Sequence, residues 1–302
     1  MPRRSRWCSP SGGRRSRDTR SRARVPSRTT PRLMGPVEPS LESRSMAMYV
    51  PLGQGRYQAT EHTQGPWDPR QQHMGPVTAL LVHELDRLPG RFPGLPLARL
   101  AVDVFAPVPV AEVEVRAEVI RDGRRVQCLG ASVTSGGREL VRATAWRIRE
   151  AESPANGAAP PPAPVPPPAQ ADTESWIARG FGYGRATDWR FVKGSPDEAG
   201  PAVAWGRARV PLVDGAEITP LERLAMFADS GNGISGVLDF DAYLFANVDL
   251  AISLFRAPEG EWICLDAATT IGPRGRGLTR TTLFDQSGEV GTATQTLFVG
   301  PR

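Results

Sequence analysis

Apolar positions along this chain follow two periods, and the two periods come in the same order twice. Gly75–Leu88 (G-P-V-T-A-L-L-V-H-E-L-D-R-L) repeats its apolar residues at helical spacing. Pro76 falls in the first turn, where a missing N–H costs nothing, and Gly90 follows the end. A short strand around Tyr49–Thr60 and the turn-rich Gly65-Pro66-Trp67-Asp68-Pro69 precede this helix. Alternation then predicts strands at Leu100–Phe105, Glu112–Arg121, Arg124–Thr134 and Glu139–Arg149. Asp122-Gly123 and Gly136-Gly137 are the hairpin turns between them.

The second run repeats the order. A strand near Ala202–Leu212 leads to a helix at Pro220–Ala228, which exits through Asp229-Ser230-Gly231-Asn232-Gly233. Strands follow at Leu244–Phe255, Glu261–Ile271, Gly277–Asp285 and Glu289–Val299. A helix followed by a four-stranded antiparallel run, twice over, implies two copies of one α+β fold, each a helix wrapped by a curved sheet. Taking Asp103 and Asp249 as counterparts, the spans to Glu139 and Glu289 are 36 and 40 residues, a match to within one loop insertion. The copies close on E-L-V-R-A-T-A (139–145) and E-V-G-T-A-T-Q (289–295), so Gln295 stands where the first copy has Ala145. An amide on a buried strand gains nothing unless it binds something, and the asymmetry points to a site.

Composition changes the picture at two places. Residues 1–45 hold twelve Arg and three acids, an excess of +9 against +5 for the whole chain, so the remainder is acidic. That tail (1–47) is basic, poor in large apolar residues and expected to be disordered. Three readings stay open for it: an organellar-type targeting segment, a nucleic-acid-binding arm, or untranslated sequence ahead of Met46 or Met48. Residues 152–172 hold eight prolines and read as a stiff, solvated linker. It separates a first domain at 48–151 from a second at 173–302.

The remaining chemistry is mostly exclusion. No apolar run reaches the ~18 residues of a membrane span, and no signal-peptide core is visible, so no membrane partner is expected. Cys8, Cys128 and Cys264 are too scattered for a disulfide framework or a zinc site, and three histidines lack ligand spacing. No metal and no cofactor is expected, and a reducing cytoplasm fits. The Gly272–Gly277 loop lacks the Gly-Lys-Ser/Thr ending of a P-loop. No G-x-S-x-G elbow occurs, which disfavours a serine hydrolase.

The stretches G-P-W-D-P-R-Q-Q-H-M-G-P-V-T-A-L-L-V-H-E (65–84), A-D-S-G-N-G-I-S (228–235), F-A-N-V-D-L (245–250) and T-A-T-Q-T-L (292–297) together resemble the acyl-CoA thioesterase II-like family over about 49–302. The resemblance implies a double hotdog fold and hydrolysis of fatty acyl-CoA without a covalent nucleophile. It implies a catalytic set of an aspartate after the second helix, a Thr or Ser on the next strand and a glutamine on the last. These fall on Asp229, Asn247 and Gln295, with Asn247 departing from the hydroxyl residue. It further implies that His73 and Gly75, at the start of the first helix, bind the substrate carbonyl, with His73 orienting the loop and not acting as a base. An amide at 247 still accepts from a water and donates to an oxygen.

Other readings stand beside these. Asp229 can bond its own turn, Gln295 can be an edge-strand polar residue and Asn247 a bulge residue. His83 and Glu84 can form a hydratase-like pair, or His83 can be a satisfied core histidine. Arg274, Arg276 and Arg280 can meet the phosphates of coenzyme A, or remain solvated loop residues. The competing functions are a hydrolase, a hotdog module that binds acyl thioesters without cleaving them, and a hydratase or dehydratase. The expected partner is an acyl-CoA and not a nucleic acid, in a monomer or a homo-oligomer paired through hotdog sheets.

Overall fold

The computed structural model describes residues 46–89, 95–152, 161–163 and 175–302. Gly90, Cys8 and residues 1–45 lie outside the described residues. The first helix, α1 (Met74–Asp86), is capped by the His73 side chain, which accepts from the Gly75 N–H. Before it, the single strand expected at 49–60 is a hairpin, β1 (Tyr49–Gly53) and β2 (Arg56–Ala59), because Gly53, Gln54 and Gly55 all take positive φ and reverse the chain. After it come β3 (Leu97–Val104), β4 (Glu112–Asp122), β5 (Val126–Ser135) and β6 (Arg138–Ile148), each within a few residues of the expected position. Gly136 and Gly137, at φ 57 and 77°, make the turn between β5 and β6.

The second half adds elements that the pattern does not announce: α2 (Trp176–Gly180), α3 (Gly182–Arg185) and β7 (Thr187–Lys193). β8 (Ala202–Ala208) and α4 (Pro220–Ala228) follow. Thr219 and Glu222 form a reciprocal capping box, with Pro220 in the first turn, so α4 begins where expected. The four-residue α5 (Gly231–Ile234) then turns the chain into β9 (Tyr243–Asn247) and β10 (Asp249–Leu254), and β11 (Ile263–Ile271), β12 (Arg276–Asp285) and β13 (Gly288–Pro301) complete the copy. The one strand expected at 244–255 is thus two. β9 pairs with the end of β13, while β10 pairs with β13 on one side and β3 on the other.

The β3–β10 pair fuses both copies into one 13-stranded sheet that runs β1-β2-β4-β5-β6-β3-β10-β13-β12-β11-β8-β7, with β9 off this path on the end of β13. The two long helices pack against each other on its inner side. Gly75 at the start of α1 abuts Met226 near the end of α4, and His83 near the end of α1 meets Glu222 near the start of α4, so the helices are antiparallel. Leu80, Leu81 and Leu85 of α1 and Leu224 and Phe227 of α4 are fully buried against inward strand residues such as Leu129, Val133, Leu265 and Leu283. These are two fused hotdog-like domains.

The register corrects one equivalence. Asp103 and Asp249 lie opposite each other across β3–β10 and are not counterparts. Ala101 pairs with Thr144, Ala251 pairs with Thr294, and Ala101 faces Ala251 across the junction. Thr144 therefore corresponds to Thr294 and Ala145 to Gln295, with no insertion between the sheets. The same relation holds inward across the sheet. Val119, Leu129 and Ala145 line up in the first copy, and Thr269, Thr279 and Gln295 line up in the second. One face that is apolar in the first copy is polar in the second.

Of the proline-rich segment, the described residues Pro161–Ala163 touch the second sheet, with Pro161 and Pro162 exposed to solvent as expected and Ala163 partly buried. The Pro161 carbonyl accepts from the Glu289 N–H at 3.0 Å, and Ala163 packs on an outward cluster of Val203, Trp205, Trp262, Cys264 and Phe284. Cys264 and Cys128 are buried and free, and burial pushes the Cys264 thiol up to about 12.

Candidate functional site

The site forms where the start of α1 meets the end of α4. Asp229 is the residue after the last turn of α4, and its side chain is 4% exposed, which for a carboxylate demands partners. They come from other elements, not from the Ser-Gly-Asn-Gly turn beside it. The Asn247 Nδ2 amide, on the last residue of β9, donates to Asp229 Oδ1 at 3.0 Å. On the other side, Asp229 Oδ2 lies 3.1 Å from His73 Nδ1.

Gln295 holds the backbone beneath this carboxylate. Its Nε2 donates to the Asp229 carbonyl at 2.9 Å, and its Oε1 accepts from the Asn232 N–H at 3.0 Å. It is 1% exposed, so both halves of the amide are used in place of water. Its neighbours on the polar face form a chain of hydroxyls: Ser235 with Thr269 at 2.8 Å, then Thr269 with Thr279 at 2.8 Å. Gly231 has no side chain because a Cβ there would lie 2.4 Å from the Thr281 hydroxyl. The α5 turn therefore sits hard against the sheet.

His73 is positioned by packing and by its own backbone. Its N–H donates to the Thr63 carbonyl at 2.7 Å, which ties the start of α1 to a 3₁₀ turn at Glu61–Thr63. Its ring stacks on Tyr183 at 4.2 Å, and the Tyr183 hydroxyl reaches Ser230 at 3.0 Å. Tyr183 is carried there by α3, whose Gly182 lies so close to the Glu61 carbonyl that a Cβ has no room. Gly75 is likewise required by packing. Its Cβ would lie 2.5 Å from the Met226 carbonyl, so the close approach it permits is to the partner helix. Its N–H is occupied by His73 Nδ1 at 3.0 Å.

His73, Asp229, Asn232 and Asn247 open on a cavity of about 440 Å³ whose other walls include Trp67, Phe105, Trp176, Phe240 and Phe245. Trp67 and Phe240 stack at 4.5 Å, and the Arg302 guanidinium lies over both rings. A largely apolar cavity with a few convergent polar groups is the usual form of a small-molecule site. Asn232, like Tyr183, is a site residue that the sequence pattern did not single out. Its amide donates to the Phe245 carbonyl at 2.9 Å, while its Oδ1 is buried without a hydrogen-bond partner among the described residues. The signal was present in the D-S-G-N-G turn, where it reads as a turn-former.

The corresponding place in the first copy is built differently. Ten residues after the caps of their helices, His83 stands where the second copy has Asp229. His83 Nδ1 meets Glu222 at 2.7 Å, while the Glu84 carboxylate accepts from the Tyr57 hydroxyl. The two residues face different partners, so the hydratase-like pair is not formed. Arg147 donates to the Leu85 and Leu88 carbonyls and closes the end of α1. Arg276 and Arg280 border a separate surface groove of about 250 Å³ with Thr270, away from the cavity with Asp229. Among the described residues no group of three or more His, Cys, Asp or Glu is placed to hold a metal, and no helix is long and apolar enough to cross a membrane.

Comparison with known proteins agrees with this architecture. Residues 63–148 match the acyl-CoA thioesterase N-terminal domain and residues 156–299 the acyl-CoA thioesterase C-terminal domain. Among solved structures, a hot dog fold protein of unknown function from Alicyclobacillus acidocaldarius superposes with a TM-score of 0.66 at 18% identity, over 81% of this chain and 92% of its own. An acyl-CoA thioesterase II from Mycobacterium marinum superposes with a TM-score of 0.62 at 19% identity, over 85% of this chain and 96% of its own. These two likenesses show the fold. Among curated proteins none matches. With both domain profiles matched in order over most of its length, the chain belongs to the double hotdog thioesterase family related to acyl-CoA thioesterase II.

Proposed function

We propose that this chain hydrolyses acyl-CoA thioesters by direct attack of water, with Asp229 as the base. The observation that carries this reading is the Asp229 carboxylate, nearly buried yet open to an apolar cavity, with one oxygen held by Asn247. Hydrolysis needs a water held against the carbonyl carbon, an acceptor for its proton and donors for the developing oxyanion. Asp229 accepts the proton. The free Oδ1 of Asn232 is an acceptor for the second hydrogen of the same water. Asn247 serves here as a donor to Asp229, which keeps the carboxylate oriented where the family resemblance implies a hydroxyl. Gln295 holds the Asp229 backbone through its carbonyl and also donates from Nε2 to the carboxylate Oδ1 at 3.4 Å, beside the Asn247 amide. Fatty acyl chains fit the apolar walls of the cavity, and the buried free thiols fit a reducing cytoplasm.

The test is release of thiol from a short-to-long panel of acyl-CoA thioesters by the full chain. Release above the uncatalysed rate that is lost in Asp229→Asn supports the reading. Detectable acyl-CoA binding with no thiol release from any member makes the chain a binding module instead.

A further inference from the structure

Nδ1 of His73 has two neighbours that make opposite demands of it. The Gly75 N–H donates to it at 3.0 Å, which requires a lone pair on that nitrogen. Asp229 Oδ2 lies 3.1 Å from the same nitrogen, and an ionised carboxylate offers only lone pairs. A bare nitrogen and an ionised carboxylate at that distance repel. A proton between them removes the conflict, and its position decides what Gly75 does.

With the proton on Asp229, Nδ1 stays an acceptor and the Gly75 N–H remains occupied. With the proton on Nδ1, the ring donates to an ionised Asp229 and the Gly75 N–H is released at the first turn of α1. That turn is where a helix offers unpaired N–H groups to an anion. Among the described residues neither group has another ion-pair partner. Tyr183, stacked on the ring from α3, has its hydroxyl at Ser230, and burial pushes its pKa far up, so it stays neutral. Phe181, on the same side, is apolar.

We propose that His73 is a positioning residue that arms the site by one proton shift, from Asp229 Oδ2 to its own Nδ1. The shift breaks one O–H bond and forms one N–H bond, with no other change of atoms or electrons. It does two things together: it makes Asp229 a base and it frees the Gly75 N–H for the thioester oxyanion. In the turnover that follows, water gives its proton to Asp229 and its hydroxide to the carbonyl carbon. The C–S bond then breaks and the leaving thiolate takes that proton, which closes the cycle. The kinetic part of this inference rests on the hydrolase reading above.

Two substitutions separate this role from simple capping. His73→Asn keeps an oxygen that accepts from the Gly75 N–H but has no site for the proton. His73→Ala removes the cap and leaves the N–H free. The arming role predicts the less stable His73→Ala to be the more active of the two, with His73→Asn down by ~10²-fold in kcat at little change in KM. Activity that follows thermal stability, Asn above Ala, overturns it. The second readout needs no substrate: nitrogen-15 NMR of the imidazoles in the full chain, which holds only three histidines. A proton on His73 Nδ1 that disappears in Asp229→Asn supports the proposal. A His73 Nδ1 that carries no proton from mildly acid to mildly alkaline pH overturns it, whether or not any acyl-CoA is cleaved.

Discussion

Gln295 clamps the backbone on both sides of the turn that follows α4, donating to the carbonyl of Asp229 and accepting from the N–H of Asn232. One buried side chain thus sets the positions of two cavity residues. Gln295→Ala leaves a buried carbonyl and a buried N–H unpaired and is expected to cost ~1–3 kcal/mol of stability. Thiol release should fall by more than that loss of folded protein explains. Urea melts beside turnover at saturating substrate separate the two effects, and turnover unchanged in a destabilised variant contradicts the clamp.

Asn247 donates a neutral amide N–H to Asp229 Oδ1. Asn247→Asp replaces that donor with a second negative charge at hydrogen-bond distance, which favours the protonated form of the pair. The acid limb of the kcat/KM profile should move to higher pH, as an apparent value belonging to both carboxyls. A limb that stays in place removes Asp229 as the base.

Gly75→Ala brings a Cβ to 2.5 Å from the Met226 carbonyl and 3.1 Å from His73 Nδ1. Backbone has to move, so the helix pair opens at the site itself. The expected loss is ~1–3 kcal/mol of stability, the usual cost of overpacking, with activity nearly abolished. Differential scanning calorimetry and thiol release read the two parts. A fully active, fully stable Gly75→Ala contradicts the helix contact.

Asp285 is fully buried and accepts from Arg256 through both oxygens, and from the N–H groups of Glu259 and Ser287. Burial pulls its pKa upward, yet the Arg256 hydrogen bonds and the two N–H groups outweigh it and hold the carboxyl below 3.8. A carboxyl depressed by folding contributes stability that is fully present above its unfolded pKa and is lost as pH falls through the folded value. Asp285→Ala strands Arg256 and should cost ~3–5 kcal/mol at neutral pH. The difference from the parent should shrink in strongly acid solution, as denaturant melts along a pH series will show. A constant difference down to the acid limit rules out this linkage.

Much of the fold was legible because alternation and helical spacing are local signals. Pro220 and Thr219 announce α4 to the residue, and Gly136-Gly137 announce a hairpin. Where a strand changes partners the signal fails. Tyr243–Asn247 and Asp249–Leu254 read as one run, yet the first pairs with the end of β13 and the second joins the two copies through β3. Asp103 and Asp249 look like counterparts because each directly follows a valine at the edge of a strand pattern, while pairing across the junction makes them opposite neighbours. Tyr183 and Asn232 were missed because each sits in a Gly-rich stretch whose tight packing is decided by distant chain.

The sequence by itself determined that the chain holds two related copies, and that the second is polar at Gln295 where the first is apolar at Ala145. Side-chain period and local turn chemistry suffice for that, since both act between near neighbours. Only the tertiary structure decided that Asp229, Asn247 and Gln295 converge, and that His73, from the other copy, completes the group. Their meeting depends on antiparallel packing of α1 on α4 and on the β3–β10 register. Those are long-range choices made by burial of both helices against one continuous sheet, and no local pattern encodes them.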